Sequence, residues 1–192
     1  MSPVVDVRGG SLAYDEVGTG RGFLWGHGLS SCRAEEDTTG LLGAWPFPTD
    51  QVRRVRYDAR GHGQSPGPAD PAAFRWEELA RDQLALAHAL GIETYVAAGA
   101  SMGAATALHA AVVAPERVQA LVLTVPPTAW ASRLAQRVLY EAGATLVEEE
   151  GLDAFAEASA LAPPPKLFAG LGLDWGAQAR RRALALDAVS LP

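Results

Sequence analysis

A serine stands between two glycines in Gly99-Ala100-Ser101-Met102-Gly103, and its surroundings make the pattern informative. Residues 94–98 are an apolar, β-rich run, and the residues after Gly103 are small and helix-forming. The pattern predicts a strand that bends abruptly into a helix, with the serine at the bend. Gly99 and Gly103 let neighbouring backbone approach, so that the hydroxyl projects from the top of a sheet. The first amides of the helix lack partners and carry the positive end of its dipole. Such a hydroxyl is placed to attack a carbonyl carbon, and such amides to hold the oxyanion that forms. A blander reading also stands: a glycine-rich turn whose serine caps the helix.

An oxyanion site needs two donors, one after the nucleophile and one from an earlier strand-to-helix loop. Met102 N–H is the natural first. The second points to Phe23-Leu24-Trp25-Gly26-His27-Gly28, an apolar run ending in His-Gly, whose next amide belongs to Leu29. Gly28 is expected to supply the unusual backbone that turns this amide inward. His27 reads as a structural histidine that ties the loop by hydrogen bonds rather than as a base.

A third motif, residues 58–65, packs two glycines into a polar turn after a strand, where ligands bind in open α/β sheets. Asp58 and Arg60 are expected to pair and anchor that loop. His62 reads as part of the loop, with a catalytic role as the lesser alternative. Trp25, Trp45 and Trp130 lie near these motifs and are candidates to line a pocket, with core packing expected for at least two of them.

The elements that must hold these residues alternate strand and helix. Residues 4–8, 12–17, 22–25 and 52–57 read as strands, with a turn at Gly9-Gly10. A helix is predicted over 76–90, with Leu79, Leu86 and Leu90 on one face and Gly91 as its C-cap. Residues 94–98 read as a strand, 101–114 as a helix stopped by Pro115, and 118–125 as the most apolar strand of the chain. Strand, helix, strand with short connections implies a parallel sheet and an α/β fold. Beyond Thr128 the spacing predicts helices over 131–146, 152–161 and 178–189. Glu148-Glu149-Glu150 lie between the first two, and Arg180-Arg181-Arg182 within the third; both charge runs read as solvated faces. The organisation expected is a core over residues 1–127 and a helical lid over 128–192.

Together the three motifs resemble the α/β-hydrolase fold family, in its serine-nucleophile branch of 3-oxoadipate enol-lactonases, esterases and cofactor-free haloperoxidases. The matching stretches are LWGHG at 24–28, YDARGHGQS at 57–65, ALGIE at 89–93, GASMGAATALHAA at 99–111 and APERVQALVLTVPP at 114–127. The resemblance is specific to about residue 128 and looser, as a lid, to about residue 189. It implies a mostly parallel sheet flanked by helices, with Ser101 as nucleophile and the Leu29 and Met102 amides as oxyanion hole. His27, Gly28, Gly99 and Gly103 would support them. It implies a small acyl substrate, an ester, thioester or lactone, and neither cofactor nor metal.

The same resemblance exposes a gap. The family's order is Ser, then Asp or Glu, then His, on loops after later strands. The one histidine after Ser101 is His109, which eight residues of helix carry about 12 Å along the axis; it reads as a packing residue. His88 lies near the end of another helix. Asp153, Asp174 and Asp187 follow no apolar strand, and PPTAW at 126–130 holds no carboxylate. Two further strands are expected beside residues 118–125. Without them an apolar strand lies at the sheet edge, where it invites aggregation.

The chain's 192 residues, ample for an ordinary domain, are short by about 70–80 for this fold. A truncated reading frame, a second chain or further copy that covers the edge, and an inactive relative would each account for this; the undegraded motifs favour the first. The expected activity is weak or absent, and a non-catalytic binding or scaffold protein is the rival reading.

Composition narrows the remainder. Lys+Arg 16 against Asp+Glu 22 gives a net charge of −6, which speaks against a nucleic-acid partner. A hydrophobic share of 48% excludes disorder of the whole chain, and the single Cys32 cannot form an internal disulfide. The start, MSPVVDVRGG, has no apolar targeting core. Residues 94–115 carry no charge but are rich in Ala and Gly, which fits a buried strand and helix better than a membrane span. A cytoplasmic location is expected.

Overall fold

The computed structural model describes residues 2–39, 48–127, 129–164 and 172–184. Among these, six strands form one sheet in the order β1-β2-β4-β3-β5-β6. β1 (Val4–Val7) and β2 (Gly10–Val17) make an antiparallel hairpin. β2 also pairs antiparallel with β4 (Val52–Tyr57). From there the sheet is parallel: β4 with β3 (Arg21–Gly26), β3 with β5 (Tyr95–Ala100), and β5 with β6 (Val118–Thr124). The strand predicted over 94–98 therefore runs two residues further and reaches Ser101 directly.

β3 and β5 are central and buried on both faces, as a parallel sheet requires. On one face Leu24 and Ala97 join Leu79, Leu86 and Ala107 in the main core; on the other, Phe23, Trp25 and Ala98 form a smaller cluster. β6 is the parallel edge among the described residues, and Leu121 and Val122 are 38% and 40% exposed on it. This is the edge that the apolar run at 118–125 implied.

Helix α1 (Arg33–Thr39) was not legible: RAEEDTT has no apolar period, and buried Arg33 and Glu36 hold it instead. A 3-10 turn at Pro71–Phe74 leads into α2 (Trp76–Ala89), which buries Leu79, Ala80, Leu86 and Ala87. α2 closes as its glycine predicted. Gly91 adopts φ 68°, Gly91 N–H donates to His88 C=O at 3.0 Å, and Ile92 N–H donates to Ala87 C=O at 2.8 Å.

α3 (Met102–Val113) follows Ser101 without a gap. α4 (Trp130–Glu150) is longer than its prediction, because Glu148, Glu149 and Glu150 are its last turn and Gly151, at φ 87°, is the break. α5 (Leu152–Leu161) agrees with the prediction, and α6 (Trp175–Leu184) begins three residues earlier than expected; residues 185–189 lie outside the described residues. The uncharged stretch 94–115 is thus β5 and α3. No helix among the described residues is long and apolar enough to cross a membrane.

Candidate active site

Ser101 occupies the bend between β5 and α3 at φ 50°, ψ −107°. A non-glycine residue there is strained, and the neighbouring glycines explain how the strain is tolerated. A Cβ on Gly99 would lie 2.4 Å from Gly103 C, and one on Gly103 would lie 2.0 Å from the Gly26 carbonyl oxygen. β3, β5 and the start of α3 therefore touch backbone to backbone. Gly103 N–H donates to His27 C=O at 3.0 Å, which locks the serine turn to the His-Gly loop.

His27 is buried, and both its ring nitrogens are used. Ala59 N–H donates to Nε2 at 2.9 Å, so Nδ1 carries the proton and donates to Gly28 C=O at 2.8 Å. Burial, aided by the neighbouring His62, lowers its pKa to about 4 and keeps it neutral. Because a trans peptide sets C=O and N–H antiparallel, capture of the Gly28 carbonyl aims Leu29 N–H away from the imidazole. Gly28 itself is not in the left-handed region; that conformation belongs to Ser30, at φ 56°. The expected glycine backbone role is thus corrected, and crowding does not demand a glycine there either, since a Cβ on Gly28 would sit in ordinary contact, 3.7 Å from Ser101 Cβ.

The expected Asp58–Arg60 pair does not form. Asp58 instead accepts from Arg33 N–H at 2.8 Å, Arg33 Nη2 at 3.1 Å and Gln64 N–H at 3.0 Å. These donors hold its carboxyl below the usual range despite burial. Arg60 reaches away to Asp82 on α2, with Nε 2.6 Å from Oδ2 and a second bond from Nη2. Charge type alone could not separate the two pairings, since Asp82 lies 22 residues from Arg60. The loop closes on Ser65, whose Oγ donates to Asp58 C=O at 2.7 Å and accepts from Ala13 N–H at 2.9 Å. Gly63, at φ 53°, lies where a Cβ would be 2.5 Å from the Asp58 carboxyl.

A cavity of about 410 Å³ opens over Ser101. Leu29, Met102 and His62 line it from the sheet end, and Tyr140 and Val147 of α4 with Phe155 of α5 line it from the other side. Leu29 N–H and Met102 N–H donate to no acceptor among the described residues, and no described side chain hydrogen-bonds Ser101 Oγ. His62 Nδ1 donates to Arg60 C=O at 3.0 Å, which leaves Nε2 unprotonated, buried and without a partner among the described residues. Burial also lowers the His62 pKa.

Arg133 is the one lining residue with a permanent charge among the described residues. Its guanidinium lies 5.9 Å from the Trp76 ring centroid and 5.4 Å from that of Tyr140.

Other predicted residues fall elsewhere. Trp25 is core, and its Nε1 donates to Glu36 at 3.0 Å. Trp45 and the Trp130 side chain lie outside the described residues; Trp76, which α2's apolar face could have signalled, lines the cavity instead. His109 stacks on Trp76 at 6.4 Å, a packing role as expected. Among the described residues no cluster of His, Cys, Asp and Glu suits a metal ion.

The sequence model described as the alpha/beta hydrolase fold matches residues 46–146, more than half of the chain. The chain belongs to this family. Over 111 residues it is 34% identical to 3-oxoadipate enol-lactonase 2 of Acinetobacter baylyi, a match that covers 58% of this chain and 39% of that protein. Among solved structures it resembles the enol-lactonase of Burkholderia xenovorans, with TM-score 0.71 and 21% identity over 96% of this chain and 71% of the other. A hydrolase from Pseudomonas aeruginosa gives TM-score 0.71 and 25% identity over 97% of this chain and 71% of the other. Relative to these hydrolases, the α/β-hydrolase chain described here is the shorter partner in each comparison.

Proposed function

We propose that this α/β-hydrolase chain carries the nucleophile and oxyanion hole of a serine hydrolase for small esters or lactones. The observation that carries the reading is the strained Ser101 bend, which shares one cavity with two residues whose amides are free, Leu29 and Met102. Ser101 Oγ attacks the carbonyl carbon, its proton passes to solvent water, which later protonates the departing oxygen, and the carbonyl oxygen becomes an oxyanion that the two amides receive. Collapse expels the alcohol or opens the lactone, and water then releases the acid. The similarity to an enol-lactonase favours a lactone, and Arg133 favours a substrate with an anionic end.

With no base hydrogen-bonded to Ser101 among the described residues, turnover by the chain alone is slow. Loss of triad members leaves about 10³–10⁴-fold catalysis over water. The test is mass-spectrometric mapping after exposure of the 192-residue chain to an excess of a fluorophosphonate or of p-nitrophenyl acetate. Modification at Ser101, absent in Ser101→Ala, is expected. No modification at Ser101 overturns the nucleophile reading for this chain and favours the rival binding role.

A further inference from the structure

Four consecutive carbonyls of the loop after β3 are each held by a donor. His27 C=O takes Gly103 N–H, and Gly28 C=O takes the His27 imidazole. The next two are taken by one side chain from the far end of the chain. Arg182 of α6 donates from Nη2 to Leu29 C=O at 3.1 Å and from Nε to Ser30 C=O at 3.2 Å. The guanidinium also lies 5.9 Å from the Trp175 ring centroid on its own helix.

Ser30, between those two carbonyls in sequence, is in the left-handed region at φ 56°. A serine has no intrinsic preference for that conformation and relaxes toward negative φ unless something holds it. The planar fork of an arginine can hold two carbonyls in one geometry; a lysine ammonium holds them only as a point charge. His27 and Arg182 thus grip the loop on the two sides of Leu29, one through the preceding carbonyl and the other through its own.

We propose that Arg182 is a positioning residue for the oxyanion loop: by binding the Leu29 and Ser30 carbonyls, it couples the docking of α6 to the placement of Leu29 N–H. This rests on the reading of Leu29 N–H as an oxyanion donor. Arg182 touches no reacting atom; it acts through the loop.

The experiment compares the full chain with its Arg182→Ala and Arg182→Lys variants. Arg181→Ala is the control, since Arg181 faces Glu35 on α1 at 3.5 Å and hydrogen-bonds no loop carbonyl. Backbone 15N order parameters are read at residues 29–31 and along α6, and Ser101 acylation by p-nitrophenyl acetate is followed as a function of ester concentration. In Arg182→Ala the order parameters at 29–31 fall from about 0.85 to below about 0.6 while those of α6 are unchanged. The limiting acylation rate falls about tenfold or more with little change in half-saturation, as loss of a transition-state donor requires. Arg182→Lys is intermediate, and Arg181→Ala matches the parent.

Unchanged order parameters at 29–31 in Arg182→Ala overturn the proposal. So does an equal loosening of α6 in both alanine variants, which makes Arg182 a plain helix tether. If the parent and Ser101→Ala acylate alike, the nucleophile reading fails, while the order-parameter comparison still decides the grip on the loop.

Discussion

Ala59 donates its backbone N–H to Nε2 of His27 across 2.9 Å, joining the end of β4 to the loop after β3. That bond decides the tautomer, and the tautomer decides what His27 can do. With Nε2 accepting, Nδ1 must donate, and its acceptor is the Gly28 carbonyl rather than a serine hydroxyl. A histidine a few residues from a candidate active site is thus spent wholly on orienting a peptide. Leu29 N–H owes its direction to it.

The bend at Ser101 costs stability. Replacement by glycine, which accepts φ 50° freely, is expected to stabilise the protein by about 1 kcal/mol, whereas Ser101→Ala keeps the strained backbone and gives no such gain. Urea unfolding of the three proteins checks this; equal midpoints for the glycine and alanine variants would show an unstrained bend.

Gly103 and Gly151 separate crowding from backbone preference. A Cβ at 103 meets the Gly26 carbonyl oxygen at 2.0 Å and its carbon at 2.3 Å, so Gly103→Ala must push β3 away from α3. It is expected to lose about 3 kcal/mol or more, together with Ser101 reactivity. At Gly151, φ is 87° and ψ 174° but nothing lies within 4 Å, so Gly151→Ala loses about 1–3 kcal/mol through backbone strain alone and leaves the site intact. Thermal unfolding and Ser101 labelling of both variants test the contrast.

Two buried groups oppose each other in their pH dependence. Burial raises the Glu36 pKa from 4.5 to about 7, so between those values the native protein holds a proton that the unfolded chain has released. Stability therefore falls as pH rises through that window. His27, lowered from 6.5 to about 4, does the reverse: between those values the unfolded chain takes a proton that the native state refuses, and stability falls as pH drops. Each effect is worth up to roughly 3 kcal/mol, and over the shared range they offset. Glu36→Gln removes one and keeps an acceptor for Trp25 Nε1. Relative to the parent, this variant gains about 2–3 kcal/mol in going from pH 5 to pH 7.5. Urea titrations at the two pH values measure it, and a constant difference would count against the Glu36 assignment.

The Arg60–Asp82 pair anchors the 58–65 loop to α2 from inside the protein, with side chains 9% and 2% exposed. Asp82→Ala leaves a buried guanidinium without its carboxylate and is expected to cost about 3–5 kcal/mol. The exposed pair Arg137–Glu141 on α4 is the contrast, and Glu141→Ala there leaves the unfolding midpoint unchanged. Equal effects from the two variants would mean that the Arg60 site is far wetter than its burial indicates.

Much of this was legible in the residues. The glycines at 99 and 103 announced a close backbone approach, Gly91 announced the end of α2, and His27 read correctly as a loop tie. The fold class followed from apolar runs and small residues whose cause is local. What escaped depended on contacts between distant parts. Helix α1 has no apolar period, because charged Arg33 and Glu36 are its buried residues. Asp58 and Arg60 looked like a pair, yet both lie in the irregular loop beyond β4, where no strand alternation sets side-chain direction, and each finds its partner on a different helix. The left-handed residue of the loop after β3 is Ser30 rather than Gly28, which composition gives no means to foresee.

The contact between Arg182 and Leu29 spans 153 residues. At a synthesis rate of about 5–20 residues per second, Leu29 is made roughly 8–30 s before the side chain that holds it. The six described strands have all been synthesised by then. The loop after β3 therefore spends that interval with the grip of His27 but without that of Arg182.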